Sequence, residues 1–115
     1  MATTRHDITV DQGAKFELNV QALNADRTVK DLTGYSASMM VKTIPGGTTL
    51  MTASTAAGNI TINGPGGLVM VSVSATDTAA MTWNSGWYDL VVSNSSSNVI
   101  RLVEGYASLS QRVTV

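Results

Sequence analysis

Hydrophobic and polar positions alternate most regularly over residues 14–23, where Phe16, Leu18, Val20 and Ala22 fall on one side and Lys15, Glu17, Asn19 and Gln21 on the other. A period of two over this length predicts a strand with one buried and one wet face. The same period recurs in Tyr35, Ala37, Met39 and Val41, which form the inward set of a second strand, and again in Tyr88, Leu90 and Val92. In that last segment Trp87, Asp89 and Val91 take the other face; with Asp89 outside, Tyr88 belongs to the core and Trp87 points outward.

Turn chemistry separates these runs. Residues 8–10 read as a short first strand closed by Asp11-Gln12-Gly13, and the polar stretch 24–31 reads as a loop. Pro45-Gly46-Gly47 reverses the chain into a partner strand over 48–52, because proline fixes φ and glycine tolerates positive φ. Asn63-Gly64-Pro65-Gly66-Gly67 joins 59–62 to 68–73, and Asn-Gly between apolar runs is a strong hairpin signal. Residues 87–93 and 99–106 pair across the Ser/Asn loop as a second hairpin, and a last strand runs over 107–115. Its end, Arg112-Val113-Thr114-Val115, either completes a sheet in the same subunit or adds to a neighbour's edge; the first avoids the cost of association and is preferred.

No 12-residue window keeps a helical period. The one helical expectation is a short turn near 75–81, where Ser74 serves as N-cap and Asp77, three residues on, places a carboxylate in the first turn. Asn84-Ser85-Gly86 stops it. Strand signals at roughly 8- to 12-residue spacing predict an all-β sandwich or barrel. The 115 residues fit one domain, 1–115, large enough to bury roughly two-thirds of the surface of its unfolded form.

Composition narrows the function classes. Cysteine is absent, which removes disulfides, thiolate nucleophiles and cysteine-zinc sites. Net charge is −1 with 13% charged residues, too little basic character to neutralise a phosphate backbone, so nucleic acid is not an expected partner. The start lacks the apolar stretch of a secretory signal, and no run approaches the roughly 20 apolar residues of a membrane helix. A soluble protein made in the cytosol is expected. Low charge with abundant Ser, Thr, Asn and Gly suits either a plain polar β surface or sheets that lie against other protein.

Reactive constellations are not apparent. His6 is the only histidine, in a polar N-terminal segment, and reads as exposed and inert. No strained Gly-x-Ser-x-Gly nucleophile turn exists. The carboxylates are scattered without the spacing of a calcium loop, although Asp26 and Asp31 share one loop. Gly64, Gly66 and Gly67 lack the following Lys-Ser or Lys-Thr of a phosphate cradle. Asn59 and Asn94 open acceptor triplets for glycosylation, and no glycan is expected without a secretory signal. No enzyme activity, cofactor or metal is expected. Among the aromatics, Trp83, Trp87 and Tyr106 are the candidate interface residues. A sugar platform on Trp83 and Trp87 is the weaker alternative, because no cluster of Asn, Asp and Arg accompanies them in the sequence.

Gly86, Tyr88, Asp89 and Leu90, followed by Arg101, Leu102 and Gly105 and by Ser110, Val113 and Thr114, form a pattern that extends upstream to Leu32-Thr33-Gly34-Tyr35. It resembles small tailed-bacteriophage structural proteins with an immunoglobulin-like β-sandwich, similar to the N-terminal domain of upper-baseplate proteins. The resemblance implies an Ig-like antiparallel sandwich of about eight strands. It also implies a non-enzymatic, homo-oligomeric virion part, made in the host cytoplasm, that joins tail, baseplate or fibre components or decorates the capsid, with other virion subunits as partners. Trp83 and Trp87 are not explained by it. Asp89 and Arg101 are expected to form a cross-strand ion pair.

Overall fold

A computed structural model of the chain describes residues 4–111 apart from Ala25, Pro45 and Ser97. Nine strand segments and one helix follow in the order β1 (Thr4–Arg5), β2 (Ile8–Asp11), β3 (Phe16–Gln21), β4 (Ser36–Lys42), β5 (Thr49–Ser54), β6 (Ile60–Asn63), β7 (Leu68–Val73), α1 (Ala75–Ala79), β8 (Ser85–Ser93) and β9 (Val99–Ser110). The larger sheet runs β1-β9-β8-β4-β5, with β2 also on β9, and the smaller runs β3-β7-β6. β1 and β2 pair with β9 in one register, Thr4 opposite Val103 and Ile8 opposite Ala107. They are one edge strand interrupted at His6 and Asp7, which makes eight strands in structural terms, as expected. Among the described residues, no helix is long and apolar enough to cross a membrane.

The alternating faces pack where the period placed them. Ala37, Met39 and Val41 of β4 and Tyr88, Leu90 and Val92 of β8 are buried, as are Phe16 on β3 and Val69, Val71 and Val73 on β7. Both sheets contribute to one apolar core, with Leu32, Met39, Leu90 and Val69 fully enclosed, so the packing is sandwich-like. Truncating Leu90 to Ala at such a site costs about 2–5 kcal/mol.

Ser74 caps α1, its hydroxyl accepting the Asp77 N–H at 3.2 Å. Thr78 is the one fully buried polar side chain among the described residues. Its hydroxyl donates to the Ala14 carbonyl at 2.7 Å and accepts the Gly13 N–H at 3.1 Å, which fastens the helix to the β2–β3 turn.

Two expectations are corrected. The edge strand β1/β2 runs parallel to β9, whereas the sandwich was expected to be antiparallel throughout; all other strand pairs are antiparallel. Residues 99–110 form a single strand without a break at Tyr106, because β2 continues pairing as far as Ser110; residues 112–115 lie outside the described part. The loop expected around residues 24–31 carries an isolated bridge between Leu23 and Val29. The expected β6–β7 hairpin forms, with its positive φ at Gly67 in a four-residue turn. A Cβ at Gly67 would collide with the Lys30 carbonyl and meet Val29 Cγ1 at 2.8 Å, so this position needs glycine for space as well as for φ.

Candidate interaction surface on the larger sheet

The outward side chains of four strands meet on the larger sheet. On β8, Trp87 lies opposite Lys42 of β4 and Tyr106 of β9, and Asp89 lies opposite Met40 of β4 and Glu104 of β9. The Trp87 and Tyr106 rings contact edge to face, with centroids 5.2 Å apart at 78°. Arg5 of β1 reaches over them, its Cζ 5.5 Å from the centre of the Trp87 ring, a cation–π arrangement. Trp87, Met40 and Tyr106 remain 40%, 39% and 36% exposed, large for apolar side chains at the middle of a sheet face.

Beside this group lies a concavity of about 360 Å³ in which Arg5, Lys42 and Arg101 face Asp89 and Glu104 around Trp87. Arg101 pairs with Glu104 at 3.4 Å and Arg5 with Asp7 at 3.5 Å, both exposed pairs that contribute little to stability. Asp89 and Glu104 are direct cross-strand neighbours, an unfavourable like-charge pairing. The expected partnership of Asp89 with Arg101 is not a register pair, since a bulge sets Arg101 opposite Val91. That bulge also turns both Leu102 and Val103 into the core.

The backbone under the cluster is held from below. The buried Tyr88 hydroxyl donates to the His6 carbonyl, and the His6 N–H donates to the Glu104 carbonyl at 2.8 Å. Burial, and then the negative charge of Asp7, push the Tyr88 phenol up to about 12. A Cβ at Gly105 would collide with the His6 carbonyl oxygen and stand 2.8 Å from its carbon, so only glycine admits the edge strand at this distance. The Asp7 carboxylate accepts the Tyr106 N–H at 3.0 Å. His6 thus acts through its backbone, and it sets Arg5 one residue away over Trp87.

Trp83 is elsewhere. It is 8% exposed, part of the core, and its Nε1 has no hydrogen-bond partner among the described residues. Trp83 precedes β8 and lines a groove beside β5, whereas Trp87 is exposed at the separate concavity over β8. A shared platform of Trp83 and Trp87 is therefore ruled out by placement. Charged side chains far apart in sequence, Arg5, Lys42 and Glu104, do surround Trp87 and supply the polar company its own sequence neighbourhood lacks.

No protein-family model and no curated protein matches this chain. The remaining candidates are local structure. Asp26 accepts from the Thr28 hydroxyl at 2.6 Å and Asp31 from the Thr33 hydroxyl at 2.6 Å. Those hydroxyls, and then the N–H groups of the same threonines, hold both carboxyls below the usual range. Asn94 accepts the Ser96 and Asn98 N–H groups and shapes the β8–β9 turn. Among the described residues, no group of three or more His, Cys, Asp or Glu side chains converges as metal ligands would.

Proposed function

We propose that the chain is a non-enzymatic structural subunit of a tailed-bacteriophage virion, made in the host cytoplasm and present in several copies. It docks on neighbouring tail, baseplate, fibre or capsid subunits through the outer face of its larger sheet. The observation that carries the docking surface is the exposed group of Trp87, Tyr106 and Arg5. Trp, Tyr and Arg are the residue types in which interface binding energy concentrates. The virion assignment rests on the resemblance along β8 and β9, and several of its residues have scaffold roles in this fold. Gly105 admits the edge strand, Tyr88 anchors it, and Gly86 lies where a Cβ would stand 3.1 Å from Val41 Cγ1 and against the Lys42 carbonyl.

Binding would be passive, with individually weak contacts multiplied by copy number. Mass spectrometry of virions purified from the phage that carries this sequence tests the reading. Many copies per particle are expected, with Trp87→Ala reducing incorporation; absence from the particle refutes the assignment.

A second reading is favoured by one observation. An aromatic ring flanked by charged hydrogen-bonding groups in a concavity of about 360 Å³ also suits a carbohydrate. Specific glycan-array binding that disappears with Trp87→Ala would establish a receptor-binding module instead.

A further inference from the structure

β5 is an edge of the larger sheet, hydrogen-bonded within it to β4 alone, so one side of its backbone lies outside the ladder. Natural edges are blocked by charge, proline, shortness or bulges. The opposite edge of this sheet carries Arg5, Asp7 and Asp11, β3 carries Glu17, and β6 is only four residues long. β5 has six residues, and from Thr43 to Asn59 the chain contains no Asp, Glu, Lys, Arg or His. One irregularity leaves Leu50 unpaired between Thr49 and Met51, and Met51, Thr52, Ala53 and Ser54 pair regularly beyond it.

Apolar surface flanks this edge on both sides. On the outer face Met40, opposite Thr52, stands exposed, and Ile44 in the β4–β5 turn is 60% exposed. On the other side Leu50 and Met51 form a shallow groove with Met81, Asp77 and Trp83, the tryptophan whose indole N–H has no acceptor among the described residues.

We infer that β5 is a self-pairing edge, to which a second copy adds its own β5 in antiparallel sense about a two-fold axis. Such an interface brings each patch against itself, so any charge on it would meet its own sign. The uncharged run meets that condition along the strand itself, with Asp77 set to the groove side of the edge and not on β5, and a foreign strand would not impose it. Thr49 and Thr52 supply favourable cross-strand threonine pairs, and Met40 and Ile44 gain cover beside the axis. The inference does not depend on the virion assignment, because it concerns the isolated protein and a different surface from Trp87.

Sedimentation velocity from micromolar to millimolar protein reads it directly. The 12.0 kDa species should double in mass with concentration, and β5 amides should gain hydrogen-exchange protection in step while those of β3 and β6 do not. Thr52→Lys and, separately, Thr49→Lys place like charges across the axis and should weaken association by about tenfold or more with unchanged circular dichroism. The exchange measurement needs no variant and covers the case in which a lysine disturbs folding. A monomer at millimolar concentration overturns the inference. So does a dimer that leaves β5 exchange unchanged, or one that survives Thr52→Lys and is lost on Trp87→Ala.

Discussion

Tyr88→Phe removes one oxygen atom and tests what holds the N-terminal edge strand, and with it Arg5, on the sheet. In the wild type the phenol is 4% exposed and donates to the His6 carbonyl. Losing such a bond costs about 0.5–1.5 kcal/mol, and leaving the facing carbonyl without its donor raises the cost to about 1–3 kcal/mol. Burial of the phenol, and then the negative charge of Asp7, add a signature in pH. They push the folded phenol up to about 12, from the ordinary 10.0 of a tyrosine. Between those values the unfolded chain has released the proton and the folded chain has not, so stability falls as pH rises, by up to about 1.4 kcal/mol per unit. The contribution is complete below pH 10 and is lost as pH rises toward 12. Tyr88→Phe lacks this proton, and other alkaline titrations remain in both proteins. Urea unfolding followed by tryptophan fluorescence at stepped pH should show the variant less stable at neutral pH and the two curves converging toward pH 12. A difference that stays constant with pH would refute the buried-donor argument.

Substitutions at three further positions probe neighbouring contacts. Gly105→Ala forces a Cβ against the His6 backbone and should cost about 3 kcal/mol, read as a lowered urea midpoint; its effect should be less than additive with Tyr88→Phe, because both act on one contact. Thr78→Val keeps the volume but strips the Gly13 N–H and Ala14 carbonyl of their partner, for a loss of about 1–3 kcal/mol in the same assay. Trp83→Phe removes a buried donor that has no acceptor among the described residues and should change stability by less than about 1 kcal/mol, whereas Trp83→Ala should cost about 3–5 kcal/mol. Equal losses for the two Trp83 variants in thermal unfolding would mean that the indole N–H is satisfied.

The local grammar of the fold was legible because it depends on neighbours in sequence. Phe16, Ala37, Met39, Val41, Leu90 and Val92 are buried where the period of two put them, and Ser74 caps the helix its hydroxyl announces. What long-range pairing decides was not legible. Nothing in Ile8 or Thr9 signals that their partners are Ala107 and Ser108, or that the pairing is parallel. The break placed after Tyr106 arose from the same blindness, since β9 continues only because β2 lies beside it. The interaction surface divides in the same way. Trp87 was assigned outward from its own strand, but Arg5, Lys42 and Glu104 come to it from three others. Trp83, four residues earlier, precedes the strand and escapes its alternation.

The two surfaces belong to one sheet, and their spacing makes a joint prediction. Trp87 lies on β8, separated from the β5 edge by β4 alone. Pairing of β5 with its copy would set the two Trp87 rows five strand spacings apart, about 24 Å at 4.8 Å each. Both rows would lie on one continuous outer face. A neighbour with repeating sites near that distance is then held bivalently, and its apparent affinity exceeds that of one site through effective concentration. Thr52→Lys should abolish the bivalent gain and leave single-site binding intact, whereas Trp87→Ala should weaken the single site itself. Binding measured on a surface densely coated with the partner, against the same partner monomeric in solution, separates the two. If Thr52→Lys weakens both formats equally, β5 touches the partner directly and the division of labour proposed between edge and face is wrong.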